Sequence, residues 1–434
     1  LVGAALIGKA QKKKLFLLAI DIKCAFNGVW KQLLEVLEWD VHGITGTIWN
    51  LVKSLSSSIR YRVRVHGMLS KVIEQREGLG QGPILSPERY NVLSSFMSTL
   101  LDDSEAGISI RDRNVLGVSW SDDLTLLVEE KHLQAVLNDV AEITSKLRQR
   151  VEHNKLFLVP LFPKGLQWAA PNATITAGTT EVKTTRVTIG GNPLKVKTSA
   201  KLLGRLFRQK VHQHKDYVKQ AKKATAPASK MLSWLGAFQP TASLELAEFL
   251  YIALLQSVLV SRLTNCQLDD KDYDTLRATQ CNVCRKTTWA GKRVSQFVIL
   301  RELGWTPLDV AIITAKIGLH DRLKRLDPRE YASTVLAERM DAVRRGSKKG
   351  LVYETKVMWH RMGNPHAWDI THPDSPTEKM RRKSAVKQLI QRKMDNWITA
   401  NSSMNGDYAE LCDHPHDQPA WHTCKDETTS RLDG

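Results

Sequence analysis

With 434 residues, 42% hydrophobic and 25% charged, the chain has enough apolar material for two or three folded domains, which excludes a disordered or fibrous protein. Its longest apolar run, Phe249 to Val260, is about half the roughly 20 residues that a membrane span requires, so no membrane partner is expected. Six cysteines are too few for a disulfide scaffold and no secretory signal is visible, so an intracellular home, nuclear or cytoplasmic, is expected.

The net charge of +18 is unevenly spread. Residues 1–130 are balanced at 15 basic and 15 acidic, which leaves 48 of the 63 basic and 30 of the 45 acidic residues in the remainder. A neutral opening and a basic continuation suggest chemistry in one place and a polyanion grip in another.

In chain order, Leu1 to Lys14 has helical spacing. "LFLLAIDI" (Leu15 to Ile22) is an apolar run of strand length, and "GVWKQLLEVLEW" (Gly28 to Trp39) is an amphipathic helix. A second helix is expected from Gly46 to Ser58. "IRYRVRVHG" (Ile59 to Gly67) alternates strictly, which predicts a strand with Arg60, Arg62 and Arg64 on one face. "REGLGQGPILSP" (Arg76 to Pro87) is a glycine-rich loop entering a helix, with Pro87 suited to its first turn. "NVLGVSWSDDLTLLVEE" (Asn114 to Glu130) predicts a hairpin with two aspartates at its tip, followed by a long amphipathic helix from His132 to Val151. Residues 154–200 read as strand-rich. From about residue 200 the chain turns helical and basic: Lys201 to Lys230 holds nine Lys and Arg against one acid.

Asp122 and Asp123 are adjacent like charges between apolar stretches, and an unpaired buried carboxylate is costly. They lie on a turn in water, or something positive offsets them. Asp21 also ends an apolar strand. If the two strands are neighbours, their carboxylates share one end of a sheet and offer the hard oxygen ligands that Mg²⁺ prefers.

Taken together, "AIDIKCAFN", "GLGQGPILSPERYN" and "WSDDLTLL" resemble motifs A, B and C of reverse transcriptases, most closely those of LINE-type (non-LTR) retrotransposons. "VEHNKLFLVPLF" resembles the strand that carries the motif D lysine, and the segment from Ala200 to Ala224 the passage from palm to thumb. The likeness is specific over residues 15–130 and fades by about 330. It begins at motif A, so it covers palm and thumb without fingers. It implies an α+β fold: a palm with a small antiparallel sheet backed by helices over residues 1–200, a mostly helical thumb and connection over 201–330, and a basic helical region with a polar tail over 331–434.

The implied activity is RNA-directed DNA synthesis, with two Mg²⁺ ions as cofactor and an RNA template, a DNA primer and dNTPs as partners. The resemblance makes Asp21 and Asp122 metal ligands with Asp123 in support, and Lys155 a general acid. Phe26 would exclude a 2′-hydroxyl, and Gln81 and Gly82 would meet the nucleotide. Gly204 would help hold the primer end, and Arg60, Arg62, Lys210, Lys215, Lys219, Lys222 and Lys223 would contact nucleic acid. The sequence departs from the family pattern at Asn27, where a second aspartate is usual, and at Cys24, Gly80, Trp120 and Ser121. Two other readings stay open: an RNA-dependent RNA polymerase, and an inactive remnant that only binds nucleic acid.

Two cysteine patterns stand outside the motifs. Cys281 and Cys284 form a lone CxxC within helical sequence and read as ordinary half-buried cysteines. Near the C-terminus, Cys412, His416, His422 and Cys424 have the right chemistry for zinc but no standard spacing, so a solvated tail is the expectation there.

Overall fold

The structure is a computed structural model. It describes residues 1–161 except 58, 81, 103, 104 and 122; the stretches 174–177, 180–189, 192–197, 199–202 and 205–208; residues 214–237, 244–288, 290 and 296–369; and residues 380, 384, 385 and 388. The fold mixes helices with a sheet. It divides into two compact units, Leu1–Val211 and His212–Gly434.

The first unit opens with α1 (Val2–Ala10) and β1 (Leu15–Asp21). α2 (Lys31–Val36) runs into a wide π turn at Leu37–Val41, and α3 (Gly46–Ser57) follows. An exposed ribbon comprises β2 (Arg60–Tyr61), β3 (Arg64–Val65), β4 (Met68–Leu69) and β5 (Ile73–Glu74). Then come α4 (Ser86–Asp102), β6 (Ile108–Ile110), β7 (Arg113–Val115), β8 (Gly117–Trp120), β9 (Asp123–Glu129) and α5 (Leu133–Lys146). The unit ends with β10 (Phe157–Pro160), β11 (Thr174–Ala177), β12 (Thr180–Ile189), β13 (Asn192–Val196), β14 (Ser199–Leu202) and β15 (Arg205–Arg208).

Seven strands form one sheet in the order β11-β12-β13-β10-β1-β9-β8. Every join is antiparallel, as the sequence suggested, except the one between β10 and β13, which is parallel. β1 holds a central place because both its faces are apolar. Phe16, Leu18 and Ile20 join the core that includes Leu93 and Met97 of α4 and Val136 and Val140 of α5. Leu15 and Leu17 are equally buried, with Leu15 lying against Gly8 of α1. Burying each such side chain contributes about 1.5–3 kcal/mol.

The expected strand over Ile59–Gly67 is broken into β2 and β3, and both are exposed. Alternation alone does not sustain a two-stranded ribbon in water without a covered face. Its base is tied down instead by Lys31, whose Nζ donates to the carbonyls of Ser56 (3.1 Å) and Gln75 (2.8 Å). Burial lowers the pKa of this lysine.

The second unit is helical as described: α6 (His214–Ala237), α7 (Leu244–Leu250), α8 (Ser257–Leu263), α9 (Asp270–Thr288), α10 (Gln296–Leu303), α11 (Leu308–Lys324), α12 (Tyr331–Arg344) and α13 (Gly350–Arg361). A π turn at Tyr251–Gln256 joins α7 to α8. The resulting helix, Glu245–Leu263, has mean hydropathy 1.5 and by length and composition could cross a membrane, contrary to the sequence expectation. The run from Phe249 to Val260 is only the middle of this helix, which extends beyond it at both ends. One face of this helix is spent on the protein itself: Tyr251, Leu255, Leu259 and Leu263 are fully buried in the unit's core.

Cys281 and Cys284 are buried in α9 as free thiols. Desolvation pushes Cys281 up to about 11 and raises Cys284 as well, so neither is a ready thiolate.

Candidate active site

β1 and β9 are paired antiparallel in continuous register from Leu15 opposite Glu129 to Asp21 opposite Asp123. Each strand is buried along its middle, and β1 ends in a partly exposed aspartate where β9 begins with one. The apolar runs therefore fix the strands in the centre of the sheet, and the register delivers both carboxylates to one end. β8 returns from β9 with Trp120 opposite Asp123, which leaves a two-residue turn. Its first residue, Ser121, has φ of +53°. Asp122, the second, lies outside the described residues.

A lysine completes the cluster. Lys155 Nζ donates to Asp21 Oδ2 at 2.9 Å, across 134 positions of sequence. The backbone carries it there: Lys23 N donates to the Arg150 carbonyl, Glu152 N donates to the Asp21 carbonyl, and Lys155 N donates to the Glu152 carbonyl. The lysine side chain is 66% exposed and the aspartate 19%, so the pair adds under about 1 kcal/mol to stability. Its significance is positional.

The glycine-rich segment docks beside the end of β1. Leu79 N donates to the Phe26 carbonyl at 2.7 Å and Gly78 N to the Val29 carbonyl at 2.8 Å. Gly78 has φ of +79°, and a Cβ there would sit 2.5 Å from the Asn27 carbonyl oxygen, so only glycine permits this approach. The half-buried Phe26 ring stacks on the buried Tyr90 of α4, with centroids 5.0 Å apart and planes at 27°. Gly82 is exposed at φ +113°, while Gln81 lies outside the described residues.

Two supports escaped the sequence reading. Arg89 of α4 makes a buried bidentate pair with Glu38, Nε to Oε1 at 2.6 Å and Nη2 to Oε2 at 3.0 Å. Beside it, an apolar cleft of about 360 Å³ opens between α3 and the loop, lined by Val52, Leu55, Leu79, Pro83 and Ile84. No local pattern links residues 38 and 89, which are 51 positions apart.

The remaining candidates fall elsewhere. Arg60 and Arg62 are exposed on the ribbon, where Arg60 faces Glu74 across the strands. Lys219, Lys222 and Lys223 are exposed on α6 of the second unit; Gly204, Lys210 and the side chain of Lys215 lie outside the described residues. So do Cys412, His416, His422 and Cys424. Among the described residues no group of three or more His, Cys, Asp or Glu is placed to hold a metal. Asp21 and Asp123 are two carboxylates at one sheet end, and oxygen donors of this kind suit a hard divalent cation.

No protein-family model matches this sequence, and no curated protein sequence matches it. Among solved structures the chain is similar to telomerase from Candida albicans in complex with a TWJ fragment of telomeric RNA, at 13% identity and a TM-score of 0.30, over 77% of this chain and 53% of that one. It is similar to Candida tropicalis telomerase with the same kind of fragment, at 12% identity and TM-score 0.33 over 77% and 51%. For apo Candida tropicalis telomerase the values are 11% identity and TM-score 0.30 over 77% and 55%. The chain spans about half the length of these structures.

Proposed function

We propose that this chain is the palm and thumb portion of an RNA-directed DNA polymerase of the LINE (non-LTR) reverse-transcriptase type. The observation that carries the reading is the register of β1 and β9, which puts Asp21 opposite Asp123 at one end of the sheet, with Lys155 bonded to Asp21. Motifs with A, B and C character thus converge from three separate stretches: the Gly78 loop packs on Asn27, directly after Phe26.

Asp21, Asp122 and Asp123 would hold Mg²⁺, which when bound activates a primer 3′-hydroxyl and neutralises charge on the leaving pyrophosphate. The chain's own residues supply the rest. Lys155 sits within hydrogen-bond reach of this cluster and can pass a proton to the departing pyrophosphate oxygen. Phe26, braced by Tyr90, gives the sugar pocket a rigid wall where a 2′-hydroxyl would clash. The Gly78–Gly82 backbone can approach a nucleotide closely because it carries no side chain at its two positive-φ positions. A bulky Phe26 argues against RNA synthesis, which needs a small residue beside the sugar.

Primer extension on poly(rA)–oligo(dT) with Mg²⁺ tests the reading. The wild-type chain is expected to incorporate dTTP in preference to UTP, and Asp122→Asn to lose at least about 100-fold, since several kcal/mol of transition-state stabilisation are removed. Equal behaviour of the two proteins would leave a chain that only binds nucleic acid.

A further inference from the structure

Helix α3 turns much of its apolar side to water. At 100° per residue Ile48, Leu51, Val52 and Leu55 fall within about 100° of one another. An amphipathic helix of a globular protein ordinarily directs such a stripe at the core. Here Ile48, Leu51 and Leu55 are 68%, 58% and 60% exposed, and the buried residue of the helix is a serine, Ser56. The helix is anchored beside the stripe instead. Trp49 packs edge-on against Trp39 with ring centroids 4.9 Å apart, and the Ser56 carbonyl accepts from Lys31. The same lysine ties the base of the ribbon through the Gln75 carbonyl. Leu55 of α3, Ile59 at the start of the ribbon and Ile84 of the loop line one cleft, so the three elements are neighbours.

Charge is distributed over the same stretch with one sign. From Val41 to Ile73 the sequence holds five Lys and Arg and no acid. Arg60, Arg62, Arg64 and Lys71 are all exposed on the ribbon. Eleven of the 24 large apolar side chains exposed among the described residues also lie between Val41 and Ile73, with Met68 at 75%. Cations and uncovered aliphatic groups therefore share one surface. A second copy of the chain is a poor match, because a two-fold contact would set this acid-free surface against itself. Nucleic acid matches the arginines but gives the aliphatic groups nothing, since interfaces with phosphate and sugar are polar. An anionic bilayer offers negative headgroups to the cations and an acyl boundary to the aliphatic groups.

We propose that α3 and the Ile59–Ile73 ribbon form a docking surface for an anionic lipid bilayer, in which Ile48, Leu51 and Leu55 enter the acyl boundary and the ribbon arginines meet the headgroups. One short apolar stripe gives only marginal membrane affinity, so the cations and the stripe act together. The surface is independent of the polymerase reading, because lipid binding does not require the carboxylate cluster.

The experiment is cosedimentation of the full chain with phosphatidylcholine vesicles prepared with and without phosphatidylserine, beside anisotropy with labelled oligo(dT). Wild type is expected to bind the phosphatidylserine vesicles more tightly, and less so as salt is raised. The double variant Ile48→Ser/Leu51→Ser should lose at least about tenfold in vesicle affinity. Its melting temperature should hold, because both side chains already lie in water. Ile48→Trp should bind vesicles at least as tightly as wild type, since an indole suits the membrane interface. Arg62→Gln should weaken vesicle binding about fivefold. Asp21→Asn should bind vesicles as wild type does. If wild type extends no primer but the double serine variant loses vesicle binding, the polymerase reading falls and the lipid surface stands. Wild-type vesicle affinity in the double serine variant would overturn the surface, as would equal binding to vesicles with and without phosphatidylserine. An equal loss on oligo(dT) would assign the face to nucleic acid instead, and a vesicle-free dimer abolished by the serines would assign it to a second copy; either result overturns the proposal.

Discussion

Two charged pairs, one in each unit, are held in opposite ways. In the first, Asp21 and Lys155 meet at the end of a sheet, 19% and 66% exposed, where solvent and a ligand can reach them. In the second, Lys316 Nζ and Glu354 Oε1 are 2.5 Å apart in the helical core, with the lysine completely buried. The Cys266 carbonyl also accepts from Lys316, and Tyr273 Oη and Leu268 N donate to the same Glu354 oxygen. Burial pulls the lysine's pKa down against the opposing effect of Glu354, and raises that of Tyr273. The difference teaches which charged pairs to read as function. A pair sealed on every side defines a fold, whereas a pair with one open side can be remade around a substrate.

That contrast can be broken by mutation. The largest effect is expected from Asp21→Asn, with primer extension reduced at least about 100-fold and the melting temperature nearly unchanged. A large drop in melting temperature would place Asp21 with the structural charges. Next comes Lys316→Met, which leaves Glu354 buried and unpaired and should cost about 3–5 kcal/mol in denaturant unfolding. The double variant with Glu354→Leu should recover much of that loss. No loss in the single variant would show that the sealed pair contributes nothing to folding.

Phe26→Val is expected to improve use of rNTPs relative to dNTPs by about 10- to 100-fold, read from competing single-nucleotide extensions. An unchanged ratio would mean that Phe26 serves only to pack on Tyr90.

A gentler probe of the second unit is pH. His320 is fully buried, and neither ring nitrogen has a partner among the described residues. Burial, reinforced by Lys324, holds its pKa down to about 4 from 6.5, against the opposing pull of Asp321 and Asp369. The unfolded chain therefore takes up the proton first. Stability from this group is complete above pH 6.5 and is lost as pH falls toward 4, with a slope of at most about 1.4 kcal/mol per pH unit. His320→Gln should flatten that slope in pH-dependent melts. The smallest effect is expected from Lys155→Met, which should change stability by less than about 1 kcal/mol while lowering extension.

The sequence made the site legible to the extent that its parts are local. β1 is an uninterrupted apolar run that ends in Asp21, β9 is a mostly apolar run that begins with Asp123, and a hairpin turn of two residues separates Trp120 from Asp123. Lys155 could be named from its motif, although nothing in its neighbourhood predicts the bond to Asp21. α6 was visible as a basic stretch, but its face was not, because the phase of a helix is set by what it packs against. The Glu38–Arg89 and Lys316–Glu354 pairs were out of reach, being 51 and 38 positions apart, where pairing depends on the whole fold. The ribbon at Ile59–Gln75 misled for the converse reason: its alternation is that of a long strand, but its strand residues are exposed on both faces.

The most direct test of the central claim is a Mn²⁺ titration followed by electron paramagnetic resonance, with Mn²⁺ standing in for Mg²⁺. Wild type should bind the ion, and Asp21→Asn and Asp122→Asn should each weaken binding by at least about tenfold, or about 1.4 kcal/mol, because both carboxylates serve one site. Undiminished Mn²⁺ binding in either variant would contradict the shared site and the polymerase reading with it.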